Sequence, residues 1–228
     1  MSSKHPDLIV LGHRGDPRHE NTLRGLRECL AVGLDGAEID VQVIADGTVV
    51  LFHDDDLERI ASDSRNVAEL TRDDLDKLEI FGEDLPTLEL LLREWPADRW
   101  LNVELKAGGP ALLDAALPLL AGREHIILSS FDPQMLTVAR DRGCAHELAL
   151  ILDPCSPGWL HADGGVSLGC GAVHLHASLL AAPTLARYRG MGLKVGFWGA
   201  FDRQHESQLV ALGVDRVITD FVADSWLL

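Results

Sequence analysis

The stretch "LIVLGHRGDPRHENTLRGLRECLAVGLDGAEIDVQV" covers residues 8–43. Its first four residues, Leu8 to Leu11, are apolar and read as a buried strand that runs on to His13. Acidic and amide residues follow, then a helix-like segment over 21–32. A second apolar run, "GAEIDVQV" (36–43), reads as another strand. Strand, helix and strand in this order make one βαβ unit, which predicts a parallel pair. The polar pair His13-Arg14 then stands at the tip of a buried strand, where loops carry function.

The same rhythm runs to the C-terminus. Further strands are expected at "RWLNVELK" (99–106), "HIILSS" (125–130), "ELALIL" (147–152), "GAVHLH" (171–176), "LKVGFW" (193–198) and "DRVITD" (215–220). Helix-like segments lie at 70–79 with 87–94, 110–121, 133–142, 179–190 and 203–212. The connection 153–164 is rich in Gly, Pro and Asp and carries no clear helix. Arg142-Gly143, Met191-Gly192 and Leu212-Gly213 supply glycines that stop helices. Eight strands alternating with helices predict an α/β fold, a (β/α)8 TIM barrel. A doubly wound open sheet is disfavoured, because no GxGxxG or GxxxxGK[ST] loop is present. "ADGTVVLFHDD" (45–55) adds an Asp46-Gly47 turn and one more strand, so a small extra hairpin should follow strand 2. With no linker, repeat or low-complexity tract, residues 1–228 read as one domain.

Composition narrows the partners. The chain is 46% apolar and 25% charged, ordinary for a globular enzyme, and its formal charge is −16. That charge argues against a general nucleic-acid or anionic-membrane binder. An anionic ligand must therefore meet a local positive centre, either Arg and Lys side chains or a metal ion. The four cysteines have no CxxC spacing and read as reduced packing residues. Met1 to Pro6 lacks the apolar core of a signal peptide, and no run of 18 apolar residues occurs, so a soluble, cytoplasmic protein without stable membrane anchoring is expected.

Catalytic groups of a barrel sit at the carboxyl ends of its strands. Glu38 and Asp40 lie on strand 2, and Glu104 and Lys106 on strand 3. Each pair has i, i+2 spacing, so its members share a strand face. Their neighbours Ile39, Val41, Val103 and Leu105 are apolar and suit the helix side, which leaves the polar pairs pointing into the barrel. Three carboxylates there repel one another and are costly to desolvate. One hard divalent cation, Mg²⁺ or Ca²⁺, resolves this with oxygen ligands from Glu38, Asp40 and Glu104. The plainer alternative is a set of internal ion pairs, Glu104–Lys106 and Arg14–Asp40. His13 and His53 are the candidate acid–base groups, since histidine titrates near neutrality. His174 and His176 also share a face and raise zinc, but no partner set accompanies them.

The combination "GHRGDPRHENT", "GAEIDVQVIADGTVVLFHDDDLER", "LNVELK" and "GVDRVITD" resembles the glycerophosphodiester phosphodiesterase family over nearly the whole chain. The resemblance implies a metal-dependent TIM-barrel enzyme that hydrolyses glycerophosphodiesters to sn-glycerol 3-phosphate and an alcohol. It implies acid–base roles for His13 and His53, phosphate contacts from Arg14 and Lys106, and metal ligation by Glu38, Asp40 and Glu104. Trp198 matches an aromatic residue lining the glycerol pocket. Glu20 matches the Glu of "ENT" and positions other site groups, while Asn21 and Thr22 cap the first helix. The chain departs from the family at His19, usually Pro, at "RIA" (59–61), usually "RTT", and at Gly199-Ala200-Phe201, often Thr-Val-Asn. The last lies beside the alcohol pocket and bears on substrate preference. The short run between His53 and Glu104 matches the small cytoplasmic members. Two other readings are a lysophospholipase D-like enzyme acting on lipid headgroups, with Trp159 in "PCSPGWL" as its one hint, and a barrel that binds glycerophosphodiesters without turnover.

Overall fold

The computed structural model describes residues 7–222. The Met1–Pro6 stretch, read above for a leader, lies outside the described residues. Eight parallel strands form the barrel: β1 (Ile9–Gly12), β2 (Gly36–Val43), β6 (Trp100–Leu105), β7 (Ile126–Ser130), β8 (Glu147–Leu152), β9 (Ala172–His176), β10 (Lys194–Trp198) and β11 (Arg216–Thr219). The sheet closes because β1 pairs with both β11 and β2. The helices between strands include α1 (Leu23–Ala31), α4 (Leu88–Glu94), α5 (Gly109–Leu120), α6 (Pro133–Asp141), α8 (Ala182–Gly190) and α9 (Arg203–Val210). Every one of the eight expected strands is present; β2 and β8 keep the expected bounds, and the other six are shorter by one residue at one or both ends.

The alternation expected of β2 and β6 holds. Ile39, Val41, Val103 and Leu105 are buried in the core between sheet and helices. Glu38, Asp40 and Glu104 are buried on the other strand face. In the register of β2 and β6, Asp40 stands opposite Glu104 and Glu38 opposite Asn102. Parallel pairing thus brings carboxylates far apart in the chain to one height in the barrel.

The connection after β2 is the main elaboration. The turn at Asp46-Gly47 leads into β3 (Val49–Leu51), antiparallel to the end of β2, as expected. An excursion then carries α2 (Glu58–Ala61), α3 (Arg72–Leu75) and a two-stranded hairpin, β4 (Glu79–Ile80) with β5 (Glu83–Asp84). The helix expected over 70–79 is therefore a single short turn followed by a strand, because Asp76 ends α3 and Phe81 and Gly82 turn the chain with positive φ. The excursion has its own apolar cluster, including Val50, Phe52, Leu57, Val67, Leu70 and Ile80. The 153–164 connection ends in a widened turn at Leu160–Gly164 and one helical turn, α7 (Gly165–Ser167). All four cysteines are free thiols, and no helix among the described residues is long and apolar enough to cross a membrane.

Candidate active site

At the carboxyl ends of β2 and β6, oxygen atoms of Glu38, Asp40 and Glu104 all lie within 4.8 Å of one another. Among the described residues this is the one cluster with metal-ligand spacing. Burial, together with the charge of Asp40, raises the pKa of both Glu38 and Glu104. Lys106 Nζ opposes this from 2.9 Å to Glu104 Oε1 and 3.8 Å to Asp40 Oδ1, while Arg14 Nε lies 3.3 Å from Asp40 Oδ2. The ion pairs expected as the plainer reading are thus real, but they leave Glu38 Oε1 and Asp40 Oδ1 buried without a hydrogen bond. All-oxygen donors with free lone pairs fit a hard divalent cation.

The loop after β1 is bent sharply to reach this cluster. Arg14 has φ 54°, and its N–H donates to Glu38 Oε2 at 2.9 Å. Such a conformation in a non-glycine residue is strained and is held by its surroundings. Gly12 and Gly15 make it feasible: a Cβ on Gly12 would lie 2.3 Å from the Gly15 carbonyl oxygen. Thr22 caps α1 as expected, its Oγ1 accepting from the Gly25 N–H. Asn21 does not cap. With φ 56° it turns inward, donates from Nδ2 to Asp40 Oδ2 at 2.9 Å and accepts the Asp40 N–H at Oδ1. The capping preference of asparagine is overridden by a buried carboxylate that needs a donor.

His13 and His53 both line one cavity of ≈ 120 Å³, with Arg14, Glu38, Asn102, Glu104, Lys106, Phe131, Ile151, Trp198 and Ile218. Each histidine is backed by a carboxylate that sequence reading did not assign. His13 Nδ1 lies 2.6 Å from Asp220 Oδ1, and His53 Nδ1 lies 2.6 Å from Asp54 Oδ1. Burial alone would depress His13, but the bond to Asp220 and the charges of Glu38 and Asp220 prevail and carry it to about 9. The guanidinium of Arg59 holds Asp54 down at about 2, so its carboxylate only accepts and His53 Nδ1 carries the hydrogen. His13 is fixed from β11 as well, its backbone N–H donating to the Thr219 carbonyl.

Trp198 lies across the cavity, edge-on to Phe131 (ring centroids 5.6 Å) and to His176 (4.8 Å). Glu20 is not a wall residue. It accepts from Arg14 Nη1 at 3.2 Å and is itself gripped by Arg59. His176 Nδ1 is occupied by Ser178, and His174 is fully buried with its pKa pushed down to about 3 by burial and by Arg216. That pair assembles no metal-competent group. Asn102, a strand residue with no role in the sequence reading, also lines the cavity; its inward place two residues before Glu104 is the signal that could have found it.

Comparison with known proteins places this geometry. The model of the glycerophosphoryl diester phosphodiesterase family matches residues 2–224. A glycerophosphodiester phosphodiesterase of Caldanaerobacter subterraneus is 26% identical over 231 residues, covering 93% of each chain. A crystal structure of the glycerophosphodiester phosphodiesterase of Thermotoga maritima superposes with a TM-score of 0.83 at 26% identity, covering 96% of each chain. An Oleispira antarctica phosphodiesterase, solved in complex with its product sn-glycerol-3-phosphate, shares the fold with a TM-score of 0.84 at 24% identity, over 95% of this chain and 97% of its own. The chain belongs to the glycerophosphoryl diester phosphodiesterase family, and it is an enzyme that hydrolyses glycerophosphodiesters.

Proposed function

We propose that the protein cleaves small glycerophosphodiesters to sn-glycerol 3-phosphate and an alcohol, with His13 and His53 as the proton-transfer pair and one divalent cation at Glu38, Asp40 and Glu104. The observation that carries this reading is the single cavity into which both histidines, Arg14, Lys106 and two of the three clustered carboxylates project. Product binding by the Oleispira antarctica relative, in a barrel of the same fold, supports the glycerol 3-phosphate half of the reaction.

When bound, Mg²⁺ or Ca²⁺ supplies Lewis-acid neutralisation of the phosphate charge. Arg14 and Lys106 add fixed positive charge at the non-bridging oxygens, where negative charge grows in the transition state. One histidine removes a proton from the attacking hydroxyl: water, which gives sn-glycerol 3-phosphate directly, or the glycerol 2-hydroxyl of the substrate, which gives a cyclic phosphate first that water then opens to sn-glycerol 3-phosphate. The P–O bond to the alcohol breaks, and the other histidine protonates the departing oxygen. Asp54 and Asp220 orient the rings, so that in each neutral ring Nδ1–H points to a carboxylate and Nε2 is left for the substrate. Trp198 is the proposed wall of the glycerol pocket, and Glu20 a support for Arg14.

A lysophospholipase D-like reading has one observation in its favour. Phe131, Trp159 and Phe201 are exposed and lie in loops after β7, β8 and β10, on the active-site face. The small cavity favours soluble diesters, and the short run between His53 and Glu104 supports the small cytoplasmic type. Turnover of glycerophosphocholine and glycerophosphoethanolamine should exceed that of lysophosphatidylcholine; the reverse order would favour the lipid reading.

The proton pair is tested by His13→Ala and His53→Ala. Each should lose at least ~10²-fold in kcat while metal affinity survives. The double variant should be little worse than the poorer single one, because half a relay is nearly as poor as none. Either single variant retaining more than about a third of wild-type kcat would remove that histidine from the mechanism.

A further inference from the structure

The strongest unassigned feature is a chain of charges outside the cavity wall. Arg59, on α2 of the excursion after β3, grips two carboxylates at once. It donates from Nε to Asp54 Oδ2 at 2.6 Å and from Nη2 to Asp54 Oδ1 at 3.2 Å. It also donates from Nη2 to Glu20 Oε1 at 2.5 Å and from Nη1 to Glu20 Oε2 at 3.2 Å. Each carboxylate already holds a group of the cavity: Glu20 accepts from Arg14 Nη1, and Asp54 accepts from His53 Nδ1. The result is an unbroken path, Arg14–Glu20–Arg59–Asp54–His53, between the loop after β1 and the loop after β3.

We propose that Arg59 is a positioning residue that locks Arg14 and His53 into one geometry, so that phosphate contact and proton transfer are set by a single clamp. This rests on the proposed roles of those two residues. An isolated, half-exposed ion pair contributes little to stability. Here the same guanidinium makes four charge-assisted bonds to two acceptors, a pattern that a planar five-donor fork allows and a lysine cannot reproduce. Its carrier is firm: Leu57, just before α2, is fully buried in the excursion's own cluster, and Ile60 packs against it. Without Arg59, Glu20 would keep only Arg14 as a counter-charge and Asp54 only the His53 ring, and each carboxylate would be free to shift with the group it holds. A displacement of about 1 Å at a reacting group costs on the order of 10² in rate.

The test uses Arg59→Ala, Arg59→Lys and, as a control, Arg65→Ala, which removes another ion-paired arginine of the same excursion. Arg59→Ala should lose about 10- to 100-fold in kcat, Arg59→Lys should recover little of it, and Arg65→Ala should match wild type. Millimolar methylguanidinium should restore part of the activity of Arg59→Ala and leave wild type unchanged. Nitrogen-15 NMR of the histidine rings adds a readout that needs no substrate: wild-type His53 should be the Nδ1–H tautomer, and Arg59→Ala should show a mixture. Wild-type kcat in Arg59→Ala, or a loss that methylguanidinium leaves untouched with the His53 tautomer unchanged, would overturn the clamp. Failure of the wild-type enzyme to turn over any glycerophosphodiester would instead overturn the proposed function, and the His53 tautomer would then decide the clamp by itself.

Discussion

At the residue scale, the site is held by groups that spend their hydrogen bonds on its carboxylates and imidazoles. Asn21 is the clearest case. It is buried, sits in a left-handed conformation, and makes two bonds to Asp40. Groups that orient metal ligands typically contribute 10- to 100-fold in affinity. Asn21→Ala should therefore weaken Mg²⁺ or Ca²⁺ binding about tenfold or more by calorimetry, with a smaller change in melting temperature. Unchanged affinity would mean that Asp40 needs no brace. This role was hidden in the sequence because Asn-Thr before a helix is also a standard capping pair. Asp54 and Asp220 were hidden for another reason. "HDDD" offers three aspartates to one histidine, and Asp220 is more than 200 positions from His13, at 2.6 Å in space. By contrast, Glu38, Asp40, Glu104 and Lys106 were legible because i, i+2 spacing on a strand fixes the face each side chain takes.

At the scale of elements, two supports stand out. The first is the excursion of residues 44–87, whose separate apolar cluster makes it a semi-independent unit. Leu57→Ala, at a fully buried position of that cluster, should cost ~2–4 kcal/mol. Proteolysis within the excursion should then begin before the barrel opens; cleavage and global unfolding in step would show that the two cores are one. The second support joins α9 to β11, where Thr219 Oγ1 donates to buried Glu206 at 2.9 Å. Burial and the charge of Asp220 push Glu206 up to about 7. Between the ordinary carboxylate value near 4.5 and that value, the folded chain keeps a proton the unfolded chain has lost. Stability therefore falls as pH rises through this window, and the cost is complete above it. Glu206→Gln should melt higher than wild type at pH 8, on the order of 5 °C, with a much smaller gain at pH 5. An equal gain at both values would sink the assignment. The barrel strands were readable because each is a short apolar run between turn signals. The hairpin β4–β5 was not, because two-residue strands leave no period to detect, and their register comes from the cluster beneath them.

At the scale of the whole molecule, an acidic chain sets two partly buried cations, Arg14 and Lys106, in the wall of its cavity. The net charge of −16 makes the surface unattractive to polyanions, while Arg14 and Lys106 face the carboxylate cluster at the barrel mouth. Closure of the sheet through β1, β2 and β11 is what brings His13, His53 and Asp220 to one opening. The fold follows from eight repeats of a local pattern, so it could be read before the structure. Three like charges on adjacent strand faces already call for a cation in the sequence, and the buried oxygens of Glu38 and Asp40 that lack a hydrogen bond strengthen that need. The most direct measurement is glycerol 3-phosphate release from glycerophosphoethanolamine, followed while Mg²⁺, Mn²⁺ or Ca²⁺ is titrated into metal-stripped enzyme and its Glu38→Gln variant. Turnover should be absent in excess EDTA, recovery should saturate at one ion per chain, and the variant should lose metal affinity and activity together. Full turnover in excess EDTA would rule out the cation.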